Sequence, residues 1–169
     1  MSEMLSIDRL DVELLEMLAT DARAGVVELA ARLSISRNTV QARLRRMEEG
    51  GVLTGYRPEL KLAEAGISVE AFIGLEVQQG RLASIVDALT AMPQVLEIHA
   101  TTGREDLLVR VATETQADLQ QLIEGIVGTV GVVHSTTTLA LTTPLPYRAV
   151  PLLKHVTRDA GWGRSTPRA

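Results

Sequence analysis

The chain has 169 residues, of which 46% are hydrophobic but only 2% aromatic, and it carries a formal net charge of -4. Those values suit one ordinary domain or two small ones with aliphatic cores, and they give no overall positive charge to draw the protein onto a polyanion. The absence of cysteine excludes disulfides and thiolate metal sites and fits a reducing cytoplasm, the expected location.

The N-terminus, MSEMLSIDRLD, carries acids early and has no long apolar run, so it does not read as a secretory signal. No stretch approaches the roughly 20 apolar residues of a membrane helix. Residues 8 to 20 read as a helix, because Leu10, Leu14, Leu15 and Leu18 form a stripe and Asp8 is a good N-cap. After a break at Asp21 to Gly25, a short second helix runs from Val26 to Leu33 with Leu29, Ala30 and Leu33 on one face. Ser34 and Ile35 turn the chain, Ser36 caps a third helix to about Glu49, and Gly50-Gly51 stops it. Val52 to Tyr56 is expected as a short extended wing, closed by Arg57-Pro58.

A linker over 57–67 leads to a second unit over 68–143. Val69, Ala71, Ile73, Leu75 and Val77 alternate with other residues, which is a strand pattern. Leu82, Ile85, Val86 and Leu89 make a helical stripe that ends at Met92-Pro93. Two further strands are expected over Val95–Thr101 and Asp106–Thr113, joined by a turn at Thr102 to Glu105. Thr115 caps a helix carrying Leu119, Leu122, Ile123 and Ile126, and a last strand runs from about Gly131 to Thr142. The order β-α-β-β-α-β predicts an α+β, ferredoxin-like unit with both helices on one face of an antiparallel sheet. Its other face must be solvated or covered by a partner. Residues 144–169 lose periodicity, and the last dozen read as a loosely held tail.

The charge is unevenly placed. Arg37, Arg43, Arg45 and Arg46 fall on the third helix, with no acid between Ser36 and Met47. At about 100° per residue, Val40, Leu44 and Met47 form the buried stripe. Asn38, Ala42 and Arg45 lie opposite, flanked by Thr39, Gln41 and Arg46, with Arg37 and Arg43 on the shoulders. Guanidiniums can read guanine, amides adenine, and a small methyl can meet the thymine methyl. Shoulder arginines suit phosphates. A solvated basic face is the plainer explanation, but the two short helices and the tight turn from Leu33 to Ser36 are helix-turn-helix architecture. The candidate DNA-binding residues are therefore Ser36, Arg37, Asn38, Thr39, Gln41, Ala42, Arg43, Arg45 and Arg46, and the partner is double-stranded DNA.

The sequence resembles the Lrp/AsnC, or feast/famine, family of bacterial and archaeal transcription regulators. Ile7-Asp8-Arg9-Leu10-Asp11, Glu28-Leu29-Ala30, Leu33-Ser34-Ile35-Ser36 and above all Met47-Glu48-Glu49-Gly50-Gly51-Val52-Leu53-Thr54-Gly55-Tyr56 carry the likeness. It implies a winged-type helix-turn-helix over 1–56, a linking strand near 57 to 66 and a βαββαβ effector-sensing domain. It further implies sheet-paired dimers that assemble into tetramers, octamers or hexadecamers, an octamer being the expected size. Small effectors, mostly amino acids, bind in this family around a glycine turn between the second and third strands of the sensing domain, at subunit interfaces. Here that turn is Thr101-Thr102-Gly103-Arg104-Glu105-Asp106, where Arg104-Glu105 replaces a common aromatic.

Chemistry allows the role. Gly103 permits close backbone approach, Asp106 can accept from an α-ammonium group, and Thr101 and Thr102 can bond a carboxylate. An ordinary polar hairpin, with Gly103 at positive φ, explains the same residues. On the last strand, His134 and Thr136 share a face and complete the candidate effector set, although threonine also simply suits strands. His99, His134 and His155 have no metal-ligand spacing, and no cofactor is expected. The leading function is a DNA-binding transcriptional regulator modulated by a small molecule, with no enzymatic activity. A sirohaem-decarboxylase-like enzyme is the alternative from another class, poorly served by so few aromatics. A ligand-independent, nucleoid-type DNA organiser is the third.

Overall fold

The computed structural model describes residues 5–163. The chain divides into two compact units, one built from the N-terminal part up to Glu59 together with the chain from Pro146 onward, the other spanning Leu60–Leu145.

In the first unit, α1 covers Arg9–Thr20, α2 Val26–Arg32 and α3 Arg37–Glu49. Asp8 starts α1 with a reciprocal capping box: its carboxylate accepts the Asp11 N–H at 3.1 Å while Asp11 accepts the Asp8 N–H at 3.1 Å. Ser36 caps α3, its hydroxyl accepting the Thr39 N–H at 3.0 Å. The turn between α2 and α3 is a Schellman motif. Ile35 N–H reaches the Ala30 carbonyl at 3.0 Å and Ser34 N–H the Ala31 carbonyl at 3.3 Å. Ser34 adopts φ 54°, a left-handed position that usually falls to glycine. The same motif ends α3, with Gly51 at φ 71°. Leu14, Leu15, Leu18, Leu29, Ala30, Val40 and Met47 close an aliphatic core.

Two expectations fail here. Val52 to Tyr56 forms turns and irregular backbone, not an extended wing, and residues 57 to 66 hold a 3₁₀ turn at Leu62–Ala65 where a linking strand was expected. Among the described residues neither segment has a neighbouring strand, so no ladder holds it extended, and residues 54–61 are exposed to water.

The C-terminal segment also differs from the sequence reading. A sixth helix, α6, spans Val150–Val156 and packs Val150 and Leu153 into the core of the first unit. Lys154 pairs with Glu16 of α1 at 2.5 Å. Residues 158–163 continue along this unit, and the rest of the expected loose tail lies outside the described residues.

In the second unit, β1 is Val69–Val77, α4 Leu82–Thr90, β2 Val95–Ala100, β3 Leu107–Thr113, α5 Gln116–Val127 and β4 Val132–Ala140. The sheet order is β2-β3-β1-β4, antiparallel throughout. Ala71, Ile73 and Leu75 with Leu107, Val109 and Val111 form the inner face. They pack on Ile85, Leu89, Leu119, Leu122 and Ile126 of the two helices. Strand alternation therefore puts Glu70, Phe72, Gly74 and Glu76 on the outer face.

Candidate nucleic-acid interface and effector site

The structure separates the arginines of α3 into two groups. Arg37, Asn38, Gln41, Ala42 and Arg45 are exposed and form one outward face, beside the half-buried Thr39 that Ser36 caps. Arg45 leans on Glu49 at 2.7 Å, but both side chains are largely in water, at 79% and 65% exposure, so the pair is free to open.

Arg43 and Arg46 flank this face, bordering a groove with Asn38, Thr39 and Ala42, and reach toward α1. Arg43 bridges Asp8 and Asp11, and Arg46 also pairs with Asp11. Asp11 is fully buried and the Arg43 side chain is only 11% exposed. Burial raises the Asp8 carboxyl pKa, but the Arg43 hydrogen bond, the Asp11 N–H and the two guanidinium charges outweigh it. The net effect holds the carboxyl below its usual range. The Arg43 guanidinium is held above its ordinary value: burial opposes its charge, and the bonds from Asp8 and Asp11 overcome that. Arg43 therefore sits where it fixes α3 against α1, rather than at the phosphate-facing shoulder the helical wheel assigns it. Asp8, read in the sequence as a cap, and Asp11, given no role there, are the missed members of this cluster.

The C-terminal end of α3 is tied to the irregular segment after it. The Tyr56 hydroxyl donates to Glu48 at 2.9 Å. Partial burial and that bond raise its pKa above the usual phenol value, so the hydroxyl stays protonated.

The expected effector residues come together at one end of the outer sheet face. Thr101 N–H donates to the Asp106 carbonyl at 2.9 Å and Asp106 N–H to the Leu75 carbonyl at 2.8 Å. The Thr101 hydroxyl donates to the Glu105 carbonyl. An Asp106 carboxylate oxygen takes the Val77 N–H at 2.8 Å, next to the register shift between Glu76 and Val77. Asp106 thus anchors the turn to β1 in addition to facing solvent.

Arg104 pairs with Glu76 at 3.1 Å. On β4, Thr136 stands opposite Gly74 and His134 opposite Glu76. The Glu105 side chain lies over Gly74, where a Cβ would meet its Cγ at 2.6 Å. A glycine at 74 is what lets that side chain lie flat on the sheet. Thr102 and Gly103 form the exposed tip. Gly103 is not in the left-handed region and a Cβ there would meet nothing within 4 Å, so the hairpin does not require glycine at that position. Gly74 and Glu76 adjoin these candidate residues and were missed, since only the strand register reveals them. His99 lies elsewhere on β2, 3.3 Å from Glu97.

With this geometry in view, the comparisons with known proteins agree on one family. Residues 7–48 match the AsnC-type helix-turn-helix domain and residues 70–150 the Lrp/AsnC ligand binding domain. Regulatory protein AsnC of Escherichia coli K12 is 30% identical over 134 residues, covering 79% of this chain and 88% of that protein. The solved structure of E. coli AsnC superposes with a TM-score of 0.80 at 28% identity, over 87% of this chain and 100% of that one. The HTH-type transcriptional regulator FL11 of Pyrococcus horikoshii is 25% identical over 148 residues, covering 84% of this chain and 97% of FL11. A regulator of Neisseria meningitidis, solved as a complex with L-Met, shares the fold at a TM-score of 0.80 and 21% identity, over 89% of this chain and 99% of that one.

The chain is a DNA-binding regulator by its helix-turn-helix and carries a ligand-binding domain. It belongs to the Lrp/AsnC family of transcriptional regulators. Among the described residues no helix is long and apolar enough to cross a membrane.

Proposed function

We propose that this regulator binds a specific operator through the exposed face of α3 and that an amino acid, bound at the turn of Thr101–Asp106, modulates its assembly or DNA affinity. The observation that carries the first half is the sorting of charge on α3. Arg43 and Arg46 are held by Asp8 and Asp11, leaving Arg37, Asn38, Gln41, Ala42 and Arg45 as the outward set. Such a face reads bases better than it holds a bare polyanion.

The second half rests on the convergence of Glu105, Arg104, Glu76, His134 and Thr136 around Gly74. An amino acid zwitterion needs an acceptor for its ammonium group and a donor for its carboxylate. Glu105 and Asp106 supply the first, Arg104 and the hydroxyls of Thr102 and Thr136 the second. The L-Met complex of the Neisseria relative supports this ligand class. Phe72 and Leu108, about a third exposed on the outer sheet face, favour a second copy covering that face as a dimer. Two copies would then present two recognition helices to a pseudo-palindromic operator.

A thermal-shift screen of the amino acids, with light scattering on each hit, tests this reading. A stabilising amino acid that also changes assembly size supports it and names the signal. A screen without a hit would leave the DNA-binding reading standing and favour an effector-independent regulator or DNA organiser.

A further inference from the structure

The chain from Pro146 to Gly163 belongs to the first unit, and its end lies on the ion cluster that holds the recognition helix. The family's ligand-binding match stops at residue 150, so Trp162 and Gly163 lie outside both matched segments. Three contacts fix this end. Arg9 N–H donates to the Gly161 carbonyl at 3.3 Å. The Arg9 guanidinium sits 4.9 Å from the centroid of the Trp162 ring, a cation–π distance. Arg43 donates to the Trp162 carbonyl at 3.5 Å.

Gly163, at φ 66°, lies against the Asp8–Arg43 pair so closely that a Cβ would meet Arg43 Nη2 at 2.6 Å. It also borders the open groove lined by Asn38, Thr39, Ala42, Arg43 and Arg46 on α3. The same segment is anchored upstream by α6 through Val150, Leu153 and the Lys154–Glu16 pair.

The physical consequence concerns water. An ion pair open to solvent is weak and tolerates many geometries, while one shielded from water is stronger and more directional. Trp162 and Gly163 lie against one side of this pair, which also borders the open groove on α3. They sit on the ion cluster that joins the start of α1 to α3.

We propose that the C-terminal segment is a clamp on the DNA-binding unit, with Trp162 as a positioning residue that fixes how α3 presents its face and thereby sets operator selectivity. This rests on α3 being the operator-reading helix. The clamp contacts no base itself. The Trp162 ring holds Arg9 at the start of α1 and so keeps the Trp162 carbonyl against Arg43; its loss degrades base readout, which needs accurate placement, and spares phosphate contact, which does not.

The test uses the full chain, a duplex selected from a random-sequence library by the wild-type protein, and a scrambled duplex. Fluorescence anisotropy is measured at several salt concentrations, at a temperature where circular dichroism shows every variant folded. Trp162→Ala should lower affinity for the selected duplex on the order of tenfold, leaving scrambled-duplex affinity and the salt slope unchanged. Trp162→Phe keeps an aromatic face for Arg9 and should restore most of the preference. Gly163→Val, which cannot keep the backbone against Arg43, should reproduce the loss.

Full selectivity in Trp162→Ala would overturn the clamp. So would an equal loss on both duplexes with a shallower salt slope, which would make the segment a phosphate-contacting arm. A wild-type chain with no preference among duplexes would bring down the operator reading and the clamp with it. Preference retained by the variants would bring down the clamp alone.

Discussion

Arg43 Nη1 lies 3.0 Å from Asp11 Oδ1, and Asp11 is wholly buried. One carboxylate of the first helix thereby holds two arginines of the third, Arg43 and Arg46. Removing one member of a buried pair leaves the other charges desolvated without compensation. Asp11→Ala should therefore destabilise the helix-turn-helix unit by on the order of 3 kcal/mol, read as a lower urea midpoint. A change well below about 1 kcal/mol would mean that the cluster behaves as an ordinary surface pair.

Asp8 adds a pH dependence with a defined sign. Its folded pKa is depressed below that of an unfolded carboxylate, about 3.9. The stability it contributes is present above that value and is lost as pH falls through the folded pKa. Asp8→Asn keeps a competent N-cap but cannot titrate. Acid unfolding monitored from pH 6 downward should show a shallower stability loss in the variant. Superimposable acid profiles would remove Asp8 from the account.

Arg45 lies on the outward face proposed to read bases. Arg45→Ala should reduce affinity for a selected operator on the order of tenfold or more and relax preference at one base position, with little effect on random DNA. Parallel loss on both duplexes in a mobility-shift titration would make Arg45 a phosphate contact.

The proposed effector site turns on Gly74. A Cβ at that position meets Glu105 Cγ at 2.6 Å, and the larger Val side chain must push Glu105 off the sheet. Gly74→Val should abolish the amino-acid response in calorimetry while DNA binding persists. Glu105→Gln, which keeps the shape and removes the charge, should weaken the response without deleting it. A wild-type response in Gly74→Val would move the effector elsewhere.

Much of this was legible in the sequence, for identifiable reasons. The alternation of Val69, Ala71, Ile73, Leu75 and Val77 and the helical stripes of α4 and α5 are one-dimensional signals of a buried face. Strand β1, for example, spans Val69–Val77 as the pattern predicts. Asp8, Ser36 and Thr115 mark helix starts because capping chemistry is local.

What was not legible is relational. A wheel puts Arg43 on a shoulder, but whether that shoulder meets water or α1 depends on how two helices pack. The pairing of Arg104 with Glu76, and the seat of Glu105 on Gly74, needs the sheet register. Helix α6 escaped notice because it offers only Val150 and Leu153 to a core, amid prolines and after a stretch without periodicity. Pro151 in its first turn is a helix-start signal that passes for a breaker in that setting.

The most direct test of the central claim is a titration of the selected operator duplex with the full-length protein, with and without each of the common amino acids at saturating concentration. The account predicts that at least one amino acid shifts the operator Kd by about fivefold or more, on the order expected for allosteric coupling between a sensing domain and a DNA-binding domain, and that Gly74→Val abolishes the shift. Operator affinity that stays constant across every amino acid, with assembly size also unchanged, would contradict a ligand-gated regulator.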